Sequence, residues 1–328
     1  MKLATLYSPH VDGRLVVVSR DLRTMADASA VVPDLSTAVA QWDAVAPALQ
    51  QLYDALNAGG CAQAQPFDTL QCSAPLPRAP QWCDGSAFLN HGRLMEKAFN
   101  TAPQPDALTV PLMYQGASDD FLGPHADIAL PSEADGIDFE GEFGVIVGPV
   151  PMAVAPAEAL AAVRLLVQIN DWSLRTLGPR EMRSGFGFLQ AKPSSSFAPI
   201  ALTPDELGPA WRDGRVHLRL QVQWNGAHFG APHGGEMDFG FGELIAHAAR
   251  TRRLSAGTVI GSGTVSNADR AAGSACIAER RVLEILDQGA PRTAFMRFGD
   301  SVQMQAQCEG SGETPFGRIA QRVVQARP

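Results

Sequence analysis

The chain has 328 residues, 45% hydrophobic and 18% charged, which is enough apolar surface to bury a large core and argues against disorder. Its 26 Lys and Arg against 34 Asp and Glu leave a formal net charge of −8, with no basic run, so a nucleic-acid or anionic-membrane surface is excluded. Five cysteines, without a CxxC pair, exclude a disulfide framework and a structural zinc site. No apolar run approaches the ~18 residues of a membrane helix or resembles a secretory leader, so the expected compartment is the cytoplasm.

In chain order, Lys2–Tyr7 and Arg14–Ser19 read as a pair of short strands. Leu35, Val39, Trp42, Val45, Leu49, Leu52 and Leu56 then recur at helical spacing, with Pro47 expected to kink or divide the helix and Gly59-Gly60 to end it. Residues 1–75 are therefore expected to form a small N-terminal α/β domain, with the Pro-rich stretch 74–80 as a stiff connection to a catalytic domain over 76–328. Farther on, Ala157–Asn170, Phe241–Thr251 and Phe316–Gln325 carry helical patterns. Val216–Trp224 alternates with period two before an Asn225-Gly226 hairpin turn, and Val302, Met304, Ala306 and Cys308 alternate in the same way. Gly (31) and Pro (24) are spread throughout, which favours short strands and turns, so the fold class is α+β, mostly β.

Some signatures are missing: there is no GxSxG elbow, no HExxH and no Walker loop, and Gly261-Ser-Gly263 lacks the third Gly of a dinucleotide loop. The informative stretch runs from Gly136 to Gly148. Asp138, Glu140 and Glu142 would share one face of a strand there, with successive carboxylates about 6.6 Å apart. At an effective dielectric near 20, each adjacent pair repels by roughly 2.5 kcal/mol. An exposed acidic face would screen that cost. However, Phe139 and Phe143 on the opposite face and the unbroken Val145-Ile146-Val147 suggest a buried strand, where the carboxylates need a cation. All-oxygen ligands suit a hard ion: Mg²⁺, Ca²⁺ or Mn²⁺. Three further features could join them: Asp171 in Asn170-Asp171-Trp172-Ser173-Leu174-Arg175, Asp84 and His91 in the segment after Trp82, and Lys192 before Pro193. Each has a plainer reading, respectively a turn-capping Asp, a structural His at a helix start and a solvated Lys. His228 and His233 lie in a Gly-rich turn and read as surface residues.

Together, in this order, these features resemble the fumarylacetoacetate hydrolase family, whose hallmarks are a D-x-E-x-E strand, an N-D-W-S-x-R segment, a G-K-S-F-G-T-like stretch and S-G-T-[IV]-S. The matching positions are Asp138, Glu140 and Glu142; Asn170 to Arg175; Ala191 to Ser196; and Ser262 to Ser266. The resemblance covers about 80–328. The seven-residue step from Asp84 to His91 sets the chain with the longer members, the bacterial fumarylacetoacetases nearest. It implies a mixed β-sandwich roll, a homodimer, and a divalent metal (Mg²⁺ or Ca²⁺, with Mn²⁺ a third option) held by Asp84, Glu140, Glu142 and Asp171. It further implies Arg175 and Lys192 on the substrate oxygens, His91 as general base, Glu279 on a strand orienting it, and Tyr114 and Thr264 lining the pocket. The implied substrate is a small diketo or 2-oxo acid from aromatic catabolism, such as tyrosine degradation, with C–C hydrolysis as the reaction. Decarboxylation, hydration or isomerisation of a 2-oxo acid through an enolate is the alternative. Gly178 replaces the family's Gln after the Arg, and Pro193 follows the Lys, departures that bear on the substrate more than on the metal.

Overall fold

The computed structural model describes residues 1–99, 102 and 105–327. Its organising element is the strand Gly141–Val147, every residue of which is buried. It lies between the antiparallel strands Val163–Asn170 and Val259–Gly261. An unbroken apolar run suits this place because both of its faces are covered. Phe143, Val145 and Val147 face Leu220, Val222, Met304 and Ile319 in one core, while Ile146 packs with Leu165, Val167, Leu49 and Tyr53 in a second.

Among the described residues this sheet has eleven strands. It runs one way through Ala201–Leu202 to the N-terminal strands Lys2–Leu6, Arg14–Val18 and Thr24–Asp27. It runs the other way through the parallel strand Trp82–Gly85 to Met113–Gly116. A second sheet of five strands, centred on Arg219–Trp224, Ser301–Gln307 and Ile319–Gln325, packs on the first. Gln168, fully buried, ties the two sheets together: its Nε2 donates to the Met304 carbonyl (3.1 Å) and its Oε1 accepts from the Ala306 N–H (2.7 Å). The chain is thus an α+β protein, mostly β. Asn225 and Gly226, at φ 50° and 76°, make the two-residue hairpin turn in the left-handed region that such turns require. Among the described residues no helix is long and apolar enough to cross a membrane.

Two helical expectations are corrected. Over 157–170 only Pro156–Leu160 is helical, and Val163–Asn170 is a strand. Its apolar residues fit both periods, and the pairing with Gly141–Val147 decides for β. Likewise Ile319–Gln325 is a strand whose inner residues Ile319, Gln321 and Val323 are buried. The N-terminal helix does divide, but at Gln41, giving Leu35–Ala40 and Trp42–Asn57; Pro47 stays inside the second helix, whose buried Val45, Leu49, Tyr53 and Leu56 hold it on the sheet.

The Pro-rich connection is buried at Ala74, Leu76 and Ala79. The Ser73 N–H donates to the Thr5 carbonyl (2.9 Å) and the Phe121 N–H to the Pro77 carbonyl (3.0 Å). The Arg78 side chain forms a two-point pair with Asp12 at 2.9 Å. Trypsin should therefore leave the Arg78–Ala79 bond uncut in the folded chain. Early cleavage there, resolved by mass spectrometry, would show the connection to be an open hinge.

Candidate active site

Three separate segments meet at one end of the large sheet. Trp82–Gly85 brings Asp84 alongside Gly261, the start of Gly141–Val147 brings Glu142, and the turn after Val163–Asn170 brings Asp171. These three buried carboxylates each offer an oxygen within 4.8 Å of the others. At an effective dielectric of about 20, two such charges repel by roughly 3.5 kcal/mol. Asp84 Oδ1 accepts the Gly263 N–H (3.0 Å), Asp171 Oδ1 accepts Ser195 Oγ (2.7 Å) and Asp171 Oδ2 accepts Tyr114 OH (2.7 Å). Both Glu142 oxygens are buried without a donor. Burial, reinforced by the facing carboxylates, raises the pKa of both Asp84 and Glu142 well above the usual carboxylate range. Donorless carboxylate oxygens at the centre of an acidic cluster are what a hard cation satisfies, so the donor set fits a divalent metal.

Glu140 has different company. Lys192 Nζ bridges Glu140 Oε2 (2.7 Å) and Asp171 Oδ2 (2.6 Å), and Arg175 Nη2 lies 2.5 Å from Glu140 Oε1. Burial works to raise the Glu140 pKa, but Arg175 and Lys192 outweigh it and hold the group far below its ordinary value. Those same carboxylates overcome the burial of Lys192 and keep it charged. Asp138, expected on the same face, stands outside the triad and pairs with Arg175 Nε at 2.8 Å. Asp138 and Glu140 are thus paired with cations, and Glu142 is not. Five buried carboxylates (Asp84, Asp138, Glu140, Glu142 and Asp171) face two basic side chains, Arg175 and Lys192, and the negative excess is concentrated at Glu142.

His91 lies on the helix Leu89–Phe99, and its Nδ1 is 2.8 Å from Glu279 Oε2. Glu279 is buried in the first turn of the helix Ile277–Gln288, not on a strand as expected. A strand period cannot describe it, because Cys276 caps a helix just before it. Tyr114, on Met113–Gly116, has its hydroxyl on Asp171 and its ring 5.4 Å from Lys192 Nζ; burial raises its pKa strongly. Thr264 is buried in the loop after Val259–Gly261. Asn170 and Ser195 lie inside the matched segments but were given no role there: Asn170 Oδ1 accepts the Glu140 N–H (3.0 Å), and Ser195 Oγ donates to Asp171. Nothing in the Ser194-Ser195-Ser196 run marks the middle hydroxyl as the one that meets Asp171.

Gly261 shows how tightly Asp84 is held. A Cβ there would fall 2.2 Å from Asp84 Oδ1 and 2.3 Å from the Trp82 ring. Gly261→Ala should cost about 1–3 kcal/mol of stability through overpacking, and metal affinity should fall with it because Asp84 must move. Unchanged melting and unchanged metal titration would show that the strand pair has slack at this point.

The fold and this acidic, cation-interleaved site define the class to which the chain belongs. The family model for the fumarylacetoacetate hydrolase C-terminal region matches residues 81–324, and that for a fumarylacetoacetase N-terminal domain matches residues 1–78. The chain belongs to the fumarylacetoacetate hydrolase family. A 2,4-didehydro-3-deoxy-L-rhamnonate hydrolase of Sphingomonas sp. (strain SKA58) is 29% identical over 159 residues, 48% of this chain and 53% of that protein. An oxaloacetate tautomerase of Rattus norvegicus is 25% identical over 157 residues, 47% of this chain and 48% of that protein. The chain thus spans about half the length of these curated relatives. A solved structure of maleylpyruvate hydrolase from Sphingobium sp. SYK-6, in complex with manganese(II) and pyruvate, superposes over 100% of both chains with a TM-score of 0.66 at 18% identity, a likeness of fold.

Proposed function

We propose that this chain is a divalent-metal-dependent hydrolase that cleaves the C–C bond of a β-diketo acid of the acylpyruvate or fumarylacetoacetate type. The observation that carries this reading is the His91–Glu279 pair beside a carboxylate triad whose central member has no donor. Asp84, Glu142 and Asp171 would hold the metal, with Glu140 next to them on Lys192 and Arg175. When bound, a divalent cation supplies Lewis-acid polarisation of a substrate carbonyl. Mg²⁺, Mn²⁺ and Ca²⁺ all suit the oxygen donors.

The chain's own residues supply the rest. Glu279 holds the Nδ1–H of His91, which leaves Nε2 as the basic nitrogen and stabilises the imidazolium once it forms. Nε2 takes a proton from water, and the hydroxide adds to the acyl carbonyl. Lys192 has a third N–H beyond its two carboxylate partners for the oxygen on which negative charge builds up, and Arg175 would bind the substrate's own oxygens. The C–C bond then breaks with its electron pair going to the enolate carbon, and the His91 proton returns to that carbon, releasing two carboxylic acids. A homodimer accompanies this reading, and sedimentation velocity tests it.

The test is loss of the near-ultraviolet absorbance of an enolised acylpyruvate on mixing with the purified chain, with and without EDTA. Turnover that chelation stops and added Mg²⁺ or Mn²⁺ restores supports the reading; no turnover of any diketo acid with metal present refutes it. The second reading is enolate chemistry on a 2-oxo acid without water attack, favoured by the likeness to a relative named as an oxaloacetate tautomerase. A strong preference for oxaloacetate over the acylpyruvate would select it.

A further inference from the structure

Asp138, at the end of the short strand Ile137–Asp138, is fully buried and lies outside the triad, and neither the metal nor the proton transfer described above uses it. Three donors converge on it. Its Oδ2 accepts Arg175 Nε (2.8 Å) and the Ala278 N–H (2.9 Å), and its Oδ1 accepts the Ile277 N–H (2.7 Å). Ile277 and Ala278 open the helix Ile277–Gln288, and the next residue is Glu279, which holds His91. One carboxylate therefore grips both the substrate-side guanidinium and the helix start that aims the general base.

We propose that Asp138 is a positioning residue that fixes Arg175 and the His91–Glu279 pair at a set separation across the site. The proposal rests on the hydrolase reading for its catalytic consequence. Its geometry is constrained on every side. The Asp138 backbone pairs with Ser173, two residues before Arg175, and Ile137 bridges to Met296, so the carboxylate cannot follow a shifting helix. A carboxylate at the first N–H groups of a helix also meets the positive end of its dipole. A cap serving the helix alone would need no guanidinium on the same oxygen. Oδ2 takes two donors and Oδ1 one, so most of the carboxylate's acceptor capacity is already used within the protein.

Asp138→Asn keeps the volume but has one oxygen and one NH₂, so one orientation sets an N–H against the Ile277 N–H and the other sets it against both Arg175 Nε and the Ala278 N–H, and at least one grip is lost. The expected result is a fall of roughly ten- to a hundredfold in kcat, the size typical of an outer residue that orients a reacting one, with a raised KM and unchanged metal affinity. Non-additivity is the decisive readout. Asp138→Asn should add little to the kcat loss of Glu279→Gln and little to the KM rise of Arg175→Ala. Contacting residues couple in this way, whereas independent structural effects multiply. Should Asp138→Asn fail to fold, Ala278→Pro serves. It removes one N–H within the first helical turn, where Pro is tolerated, at a half-buried Ala, and it should lower kcat without moving KM because Arg175 keeps its partner. A readout independent of turnover is the downfield imidazole N–H resonance of His91 on Glu279, which either variant should broaden or shift. If the parent chain turns over no diketo acid but the resonance moves, the hydrolase reading fails and the positioning role stands. Multiplicative kcat losses with an unmoved resonance overturn the role of Asp138.

Discussion

His91→Ala should lose about 10²- to 10⁴-fold in kcat for diketo-acid hydrolysis while binding its divalent metal as tightly as the parent chain. The reason is positional. The imidazole is tied to Glu279 on the helix Ile277–Gln288 and is not among the three clustered carboxylates, so its removal takes away the base and leaves the cation's oxygens in place. Glu279→Gln should show a milder loss of the same kind, because the amide cannot stabilise an imidazolium as a carboxylate does. Lys192→Ala should also slow turnover, but it exposes the unneutralised Glu140 and Asp171, so its metal affinity should change where that of His91→Ala does not. Calorimetric Mn²⁺ titrations beside steady-state rates make the comparison. Full diketo-acid activity in His91→Ala would remove the water-activating role of His91.

Glu142→Gln should be more stable than the parent chain without metal and should lose most of that lead once metal is bound. Without metal, the parent buries a carboxylate with no donor opposite Asp84 and Asp171. Gln removes that charge and offers its NH₂ to the facing oxygens, so the EDTA-treated variant should melt higher, by about 1–3 kcal/mol. With metal at a hundred times its Kd, the parent gains about 2.7 kcal/mol, and the variant, lacking the central ligand, should gain almost none. The pH dependence follows from the raised pKa of Glu142. A carboxyl whose pKa is higher folded than unfolded destabilises the fold above the raised value, and the penalty fades as pH falls from there toward the ordinary carboxylate range. The metal-free parent should therefore recover stability on mild acidification and the gap to the variant should close. A variant less stable than the parent in EDTA at neutral pH would show that Glu142 is not an uncompensated anion, and the cation site would fall with it.

The acidic stretch was legible in part: a period-two run of carboxylates opposite Phe139 and Phe143 marks a buried site, but the single strand expected there is broken at Phe139-Glu140 into Ile137–Asp138, paired with Ser173–Leu174, and Gly141–Val147 in the large sheet. Its neighbours were less so. Val163–Asn170 satisfies a helical and a strand period at once, and the pairing partner Gly141–Val147 that settles it precedes it by many residues. Glu279 was found as a partner for His91 but placed on the wrong kind of element, because the helix cap at Cys276 uses a sulfur, a weak acceptor that carries little signal.

Local pattern was sufficient where the burden is local: which runs are apolar, where Asn225-Gly226 turns, and which residue types could hold a hard ion or move a proton. Division of labour among the carboxylates came only with the assembled fold. Spacing along a strand makes Asp138, Glu140 and Glu142 equivalent. Arg175 and Lys192, brought in from other segments, neutralise the first two, and Asp84 and Asp171 crowd the third. Electrostatic energy in a buried site depends on distances across the sheet, and those distances are set by the pairing of strands far apart in the chain.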